Sequence, residues 1–282
     1  MKLLITGAQG QLGRELVRQL KKTDIAFFAA SRQELDITNA AQTLQVIKEY
    51  MPDAVIQAAA YTNVDEAEKV RNEAFQINAI GTQNVAAACL KTGAKLLYVS
   101  TDYVFDGSLG RAYDEYDQTN PQGIYGRSKF AGEQITRQIV ARSYIVRTSW
   151  LYGDGNNFVR TMLRLGKERD VLKVVNDQFG CPTSTVDLAE AIIALVATDA
   201  YGTYHAVNQG ITTWFDFAKK IFELSGNQQI QVLPQTTAEL NRPAPRPPYS
   251  PLQNNLLRVV LGHDMRNWEE ALQEYIAEQE TF

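Results

Sequence analysis

Tyr125 and Lys129 are the pair of residues whose types and spacing most directly suggest chemistry. They open a stretch, residues 125–141, in which apolar residues recur at helical spacing, and residues at positions i and i+4 share one helix face. A lysine ammonium beside a phenol stabilises the phenolate and lowers the pKa of the phenol from about 10. Tyr125 would then donate a proton to a developing alkoxide, and Lys129 would also be free to hydrogen-bond a ribose. The competing interpretation is an aromatic residue at a helix start followed by a surface lysine.

Three glycines, Gly7, Gly10 and Gly13, follow the first predicted strand (residues 2–6) and open the first predicted helix (residues 11–22). Glycine permits a tight turn and a close approach of the backbone to a pyrophosphate, and a helix N-terminus supplies free N–H donors. The spacing G-x-x-G-x-x-G only approximates the G-x-G-x-x-G fingerprint of dinucleotide sites. We therefore predict a dinucleotide site here, with a glycine turn that binds no ligand as the alternative.

The end of the second predicted strand bears on the choice of cofactor. An acidic residue there favours NAD, whereas an arginine accommodates the extra phosphate of NADP. The chain reads Ser31-Arg32 at this point, which favours NADPH and leaves NADH possible; the alternative is that Arg32 is a solvated surface charge. Asp36 and Ile37 are expected along the adenine, although Asp36 is also suited to cap the next helix.

Thr101 and Asp102 end another predicted strand, residues 94–101. Ligands of doubly wound sheets bind at the carboxyl ends of the strands. The hydroxyl of Thr101 is suited to hydrogen-bond a substrate carbonyl, and the carboxylate of Asp102 to accept from a sugar hydroxyl. The alternative for Asp102 is a turn-forming role.

Short apolar runs alternate with amphipathic stretches in the first half of the chain. The predicted strands are 2–6, 25–30, 53–60, 94–101 and 143–150, and the predicted helices are 11–22, 39–50, 74–91 and 125–141. Strands that alternate with helices form βαβ units and a parallel sheet that is buried on both faces. The predicted fold class is therefore α/β, with a doubly wound (Rossmann-type) parallel sheet.

The second half of the chain has too few predicted strands for another doubly wound domain. Its predicted elements are helices at 158–168, 185–197, 213–224 and from about Asn267, strands at 171–175 and 203–207, and a proline-rich run at 241–251. We predict a dinucleotide-binding domain over residues 1–149 and, over 150–282, mainly a smaller C-terminal substrate-binding cap. One or two of its strands, at about 171–175 and 203–207, are expected to return to the main sheet.

Composition excludes several classes of protein. The formal net charge is −4, so the chain lacks the excess of basic residues that would attract nucleic acid or an anionic membrane surface. No apolar run reaches the length of a membrane span. Two cysteines, Cys89 and Cys181, and two histidines, His205 and His263, are scattered singly, which argues against a disulfide scaffold and a zinc site. We expect a soluble, cytoplasmic monomer or homodimer without nucleic-acid or membrane partners.

Several longer segments carry a family resemblance. They are AAAYTNVDEAE (58–68), STDYVFDG (100–107), RTSWLYGDGNNF (147–158) and NDQFGCPT (176–183). Together with the glycine turn and the Y-x-x-x-K pair, in this order, they resemble the extended short-chain dehydrogenase/reductase family and, within it, the dTDP-4-dehydrorhamnose reductases.

The resemblance implies the NAD(P)H-dependent reduction of the C4 keto group of a nucleotide-linked sugar, dTDP-4-dehydro-L-rhamnose, to dTDP-L-rhamnose. One alternative is a nucleotide-sugar epimerase or dehydratase of the same family. The resemblance disfavours a dehydratase, because those enzymes have the residues T-D-E after the fourth strand, whereas Tyr103 follows Asp102 here. The other alternative is a non-catalytic NADP-binding regulatory subunit, against which the intact pair of Tyr125 and Lys129 argues.

The resemblance and the motifs together give a set of candidate residues. They are, for catalysis, Thr101, Tyr125 and Lys129; for cofactor binding, Gly7, Gly10, Gln11, Leu12, Gly13, Ser31, Arg32, Asp36, Ile37, Ala58, Ala59, Ala60, Tyr61, Thr62, Val99, Tyr125 and Lys129; and, for substrate binding, Thr101, Asp102, Tyr103, Trp150, Asn157 and Arg246. Arg246 is included because residues 246–252 resemble the family's R-P-x-x-S-x-L segment, and a guanidinium fork suits a diphosphate. Glu15 stands where some family members hold magnesium, but the second position reads Val186-Asp187, so we predict no metal.

Overall fold

Short strands and helices alternate along the whole of the computed structural model, which describes residues 1–279. In chain order the strands are β1 Lys2–Thr6, β2 Ala26–Ala30, β3 Ala54–Gln57, β4 Lys95–Thr101, β5 Ser143–Thr148, β6 Leu151–Tyr152, β7 Val171–Val175, β8 Phe179–Gly180, β9 Thr183–Ser184, β10 Gly202–His205, β11 Thr212–Thr213 and β12 Gln231–Gln235. The α-helices are α1 Gln11–Leu20, α2 Ala40–Tyr50, α3 Val64–Ala67, α4 Arg71–Phe75, α5 Thr82–Thr92, α6 Ile124–Ile139, α7 Phe158–Glu168, α8 Thr185–Val196, α9 Trp214–Leu224, α10 Thr237–Leu240, α11 Asn255–Leu261 and α12 Trp268–Gln279. A π-helical segment, Gln76–Gly81, joins α4 to α5, and a 3₁₀ turn, Asp102–Val104, follows β4.

Six of the strands form one parallel sheet in the order β10-β5-β4-β3-β1-β2. The strand order reverses between β1 and β3, and a crevice opens outside the carboxyl ends of the strands at such a point. The apolar character of the strands follows from their position, since helices cover both faces of the sheet. The predicted doubly wound parallel sheet is confirmed.

The two helical layers have separate apolar cores. On one face α1, α8 and α11 pack through side chains such as Leu16, Ile192 and Leu257. On the other face α2 and α5 pack through Ile47 and Val85, and α6 lies beside α5. These layers leave the carboxyl ends of the strands free, which places the loops after β1, β3, β4 and β5 around the crevice.

The cap is built around its own apolar cluster. Helices α7, α9 and α12 enclose residues such as Val159, Phe217 and Leu272, and β7 pairs with β12 in a separate two-stranded parallel sheet. Residues 171–175 therefore do not return to the main sheet, because β12, which the sequence analysis did not predict, takes up the pairing edge of β7. Gly202–His205 does join the main sheet, beside β5. The domain boundary at residue 149 stays a prediction.

Three predicted elements differ from those in the structure, two of them in where they end. β3 ends at Gln57, not at residue 60, and the alanines that follow turn toward the glycine loop, where the N–H of Ala59 donates to the Thr6 hydroxyl. β5 ends at Thr148 because Trp150 takes a left-handed backbone conformation with φ of 47°. The predicted helix 74–91 contains the π-helical segment. Over the described residues, no helix combines the length and apolar character needed to cross a membrane.

Candidate active site

A cavity of about 650 Å³ lies at the carboxyl ends of the strands. Its walls come from the β1–α1 turn, the ends of β2, β3, β4 and β5, the first two turns of α6 and the residues just before α7. The candidate residues that line it are Gly7, Gly10, Gln11, Leu12, Gly13, Arg32, Asp36, Ile37, Ala58, Ala59, Ala60, Thr62, Val99, Thr101, Asp102, Tyr103, Tyr125, Lys129, Trp150 and Asn157. The sheet thus brings residues from both predicted domains to one crevice, while the role of each stays a prediction.

The glycine turn has the shape of a phosphate cradle. Gly7 has a φ of 68°, and a Cβ there would lie 2.6 Å from the backbone nitrogen of Ala59. A Cβ on Gly13 would collide with the carbonyl oxygen of Gly7, so these two positions require glycine. No side chain caps the N-terminus of α1 at Gly10, and the side-chain oxygen of Gln11 is buried without a hydrogen-bond partner in the described chain. Free N–H groups at a helix N-terminus that faces a cavity fit the pyrophosphate of a dinucleotide.

The end of β2 differs from its prediction in one respect. Arg32 lines the cavity mouth with 76% of its side chain exposed, and its Nε lies 3.9 Å from the carboxylate of Asp36. Ser31 does not line the cavity; its N–H donates to the carboxylate of Glu34 over 2.8 Å. The sequence analysis placed no acid here, because Glu34 lies three residues further along the chain and only the turn brings it back.

Helix α6 presents the predicted pair toward the cavity. Burial raises the pKa of Tyr125 to about 12, against a hydrogen bond with Thr101 that lowers it. Burial lowers the pKa of Lys129 to about 7, against the charge of Glu133, which raises it. The Lys129 ammonium donates to the Val99 carbonyl over 2.6 Å and lies 4.2 Å from the centroid of the Tyr98 ring.

The expectation that Lys129 lowers the pKa of the Tyr125 phenol is therefore wrong for this structure. The nearest partners of the ammonium are on β4, and removal of the phenol from water is the dominant influence on Tyr125. Tyr125 is thereby held in the protonated form that a proton donor needs.

The end of β4 is tied to the proline-rich run of the cap. The Thr101 hydroxyl donates to one carboxylate oxygen of Asp102 over 3.0 Å, and the Ser250 hydroxyl donates to the other over 2.7 Å. Burial raises the pKa of Asp102 to about 6, although both hydrogen bonds lower it. The ring of Tyr103 meets that of Tyr125 edge-on, with centroids 5.5 Å apart.

The loop after β3 is held by a residue that the sequence analysis missed. The side-chain oxygen of Asn78, in the π-helical segment, accepts from the Tyr61 N–H over 2.8 Å. Its side-chain nitrogen donates to the Tyr61 carbonyl over 3.1 Å and to the Ser128 hydroxyl over 2.9 Å. Tyr61 itself does not line the cavity. A polar residue at a buried helical position was the only signal available for Asn78.

The three candidates on the cap side differ in whether they line the cavity and in what their side chains contact. Trp150 lines the cavity and stacks on Trp214, with centroids 3.6 Å apart. The side chain of Asn157 caps α7, accepting from the Arg160 N–H over 3.0 Å. Arg246 does not line the cavity; its guanidinium makes two hydrogen bonds of 3.0 Å to the carboxylate of Asp65.

Nine further residues line the cavity that were not among the candidates. They are Leu35, Thr38, Val64, Ile77, Ser100, Thr148, Ser149, Leu151 and Asn156. Most of them directly adjoin candidate residues in sequence, so each segment that lines the cavity is longer than the motif that predicted it.

Glu15 is occupied by its own helix, accepting from Arg18 over 2.8 Å and from Gln19 over 2.7 Å. Within the part of the chain that the structure describes, no three His, Cys, Asp or Glu side chains gather as a metal site requires.

A family model and a named relative match this chain over nearly its whole length. The family described as "RmlD substrate binding domain" matches residues 1–281. A dTDP-4-dehydrorhamnose reductase from Streptomyces griseus is 44% identical over 278 residues, covering 96% of this chain and 91% of that protein.

Two solved structures are similar as well. One is a dTDP-4-dehydrorhamnose reductase from Clostridium acetobutylicum ATCC 824, with a TM-score of 0.97 and 48% identity over 99% of this chain and 100% of that one. The other is a dTDP-4-dehydrorhamnose reductase from Bacillus anthracis str. Ames in complex with NADP, with a TM-score of 0.93 and 49% identity over 98% of this chain and 99% of that one.

Proposed function

Because the chain belongs to the RmlD substrate binding domain family, we propose that it performs the reaction of a dTDP-4-dehydrorhamnose reductase. It is an NADPH-dependent oxidoreductase that reduces the C4 keto group of dTDP-4-dehydro-L-rhamnose to give dTDP-L-rhamnose. The single observation that carries this proposal is that one cavity joins a glycine phosphate cradle to Thr101, Tyr125 and Lys129.

The residues of the cavity divide the work of binding and catalysis. The glycine turn and the N-terminus of α1 would hold the pyrophosphate, and Lys129 would hydrogen-bond the nicotinamide ribose. When bound, NADPH supplies the hydride that reduces the substrate carbonyl. Tyr125 donates a proton to the carbonyl oxygen as negative charge develops on it, and Thr101 polarises that oxygen with its hydroxyl.

The cap side of the cavity would hold the sugar. Trp150 offers a flat apolar wall backed by Trp214, and the Asp102 carboxylate accepts hydrogen bonds at the end of β4. Arg246 would reach a substrate diphosphate only if its hydrogen bonds with Asp65 were shared or exchanged. These contacts would hold the substrate carbonyl in the orientation that the reduction requires, so that part of the binding energy lowers the barrier.

A turnover assay with a panel of substrates tests the proposal. The chain is incubated with NADPH and 4-keto nucleotide sugars that differ in base and in sugar epimer, and the absorbance of the reduced nicotinamide is followed. We expect stoichiometric oxidation with the dTDP-linked 4-keto-6-deoxy sugar. An epimerase or dehydratase would transform its sugar without net oxidation, and a regulatory subunit would bind NADPH without turnover; either result contradicts the proposal.

The exposed Arg32 gives a prediction about cofactor choice. Arg32→Ala is expected to weaken NADPH binding by up to about tenfold, because an exposed ionic contact with the extra phosphate is worth about 1 kcal/mol. NADH binding should stay the same, so the preference for NADPH narrows. Fluorescence titration of both cofactors measures this, with Gln33→Ala as the control at a neighbouring exposed position. Equal affinities of the unaltered chain for NADPH and NADH would show that Arg32 is only a surface charge.

The proposal extends to the setting of the enzyme. A nucleotide sugar is its small-molecule partner, and it acts as a monomer or homodimer in the cytoplasm without nucleic-acid, membrane or metal partners. Its acidic net charge of −4 supports the exclusion of nucleic acid.

A further inference from the structure

The buried face of α6 carries a carboxylate that the reaction described above does not use. Glu133 lies one helical turn after Lys129 and is 0% exposed. It accepts hydrogen bonds from the Ser100 hydroxyl (2.6 Å), from Arg147 (Nε 2.9 Å, Nη2 2.8 Å) and from Arg137 (2.9 Å). A carboxylate is almost never fully buried unless it is paired in this way, so every oxygen lone pair here is committed to a specific partner.

Two of the partners of Glu133 lie on the strands that reach the reacting groups. Ser100 directly precedes Thr101 at the end of β4, and Arg147 stands beside Ser100 on β5. Lys129, on the same helix, donates to the carbonyl of Val99. Helix α6 therefore holds the two residues of β4 that precede Thr101. Lys129 contacts Val99, and Glu133, one helical turn later, contacts Ser100.

The charge of Glu133 also acts on Lys129. On β4, the ring of Tyr98 lies under the Lys129 ammonium, and Asp102, beyond the end of that strand, acts on Tyr125 of α6. On β5, Arg147 is paired with Glu133. Behind Arg147, on β10, burial lowers the pKa of His205 to about 3, so that ring stays neutral. Glu133 is the group whose negative charge favours the protonated form of Lys129.

We propose that Glu133 is a positioning residue for the reduction, holding the end of β4 with Thr101 in place against the helix that carries Tyr125 and Lys129. The inference rests on the proposed function, which it deepens. The Ser100 hydroxyl transmits the positional effect, and the buried negative charge sets the pH up to which Lys129 holds its proton.

Three variants separate these effects. Glu133→Gln combined with Arg147→Met removes the charge without stranding a buried guanidinium, and Arg137, which is partly exposed, turns to water. Ser100→Ala removes only the hydrogen bond between Glu133 and β4. Thr136→Val is the control, because Thr136 is buried on the same helix and its hydroxyl has no hydrogen-bond partner in the described chain.

The first readout is NADPH affinity as a function of pH, which needs no substrate. Affinity should fall as pH rises through the pKa of Lys129, since the ammonium loses its proton. Of the two charges removed in the double variant, that of Glu133 is the one that acts on Lys129, so the midpoint should move to lower pH, whereas Ser100→Ala and Thr136→Val should leave it in place. An unchanged midpoint in the double variant overturns the proposal.

The second readout is steady-state kinetics with the keto sugar. Ser100→Ala should lower kcat about tenfold or more while KM changes less than about twofold, because a displaced Thr101 affects the transition state more than binding. Thr136→Val should keep both values, and a Ser100→Ala variant with unchanged kcat overturns the proposal. If the unaltered chain turns over no keto sugar, the proposed function fails, and the NADPH profile alone decides the role of Glu133.

Discussion

Tyr125→Phe is expected to lower the rate of carbonyl reduction by about 10²- to 10⁴-fold, the usual contribution of a positioned general acid. The variant removes the phenol hydroxyl that lies beside Thr101 and leaves the ring, which still meets the Tyr103 ring edge-on. The alkoxide then forms without a proton donor in place. Single-turnover reduction, followed by the absorbance of the reduced nicotinamide, measures the loss.

Binding and stability separate this loss from damage to the site. NADPH affinity and the urea midpoint of Tyr125→Phe should match those of the unaltered chain, because the cradle lies on other elements. Lys129→Met should behave differently, losing NADPH affinity together with turnover. A Tyr125→Phe variant that keeps more than about a tenth of the original rate would exclude Tyr125 as the proton donor.

Arg147→Met is expected to lower the free energy of unfolding by about 3 to 5 kcal/mol, the cost of leaving one partner of a buried ion pair alone. The guanidinium of Arg147 supplies two of the hydrogen bonds that Glu133 accepts, and both side chains are buried. Its loss leaves the carboxylate with Ser100 and the partly exposed Arg137. Urea unfolding monitored by circular dichroism measures the change as a shift of the midpoint at constant slope.

The double variant with Glu133→Gln is the matched control for this prediction. Removal of both charges leaves no uncompensated ion in the interior, so most of the lost stability should return. Single and double variants with equal midpoints would show that the cost comes from altered packing and not from an unpaired buried charge.

The sequence predicts the parts of this fold that depend on neighbouring residues. The glycine turn, the apolar strands and the spacing of Tyr125 and Lys129 are local patterns, and the sheet they imply is present. The strand 171–175 shows the limit of this reasoning, because its pairing depends on β12, about 60 residues away, whose alternation is interrupted by Pro234.

Long-range electrostatics explain most of what was missed. Asp65 pairs with Arg246 across 181 positions of the chain, so a motif around Arg246 alone gives no sign that its guanidinium is occupied. The sequence analysis gave Glu133 no role, and its burial depends on the approach of Arg147 from β5. The pKa of Tyr125 likewise depends on how much water the assembled cavity excludes, which no spacing reports.

Because of the π-helical segment, the number of residues between α4 and α5 determines how the cavity wall is built. Each residue of an α-helix advances the side chain by about 100°, and a π turn accommodates one residue more than an α turn. A relative one residue shorter between Phe75 and Thr82 would continue as regular α-helix, with Asn78 turned away from Tyr61 and Ser128. A gap at this point of a sequence alignment therefore marks a rebuilt cavity wall, even where every catalytic motif is intact.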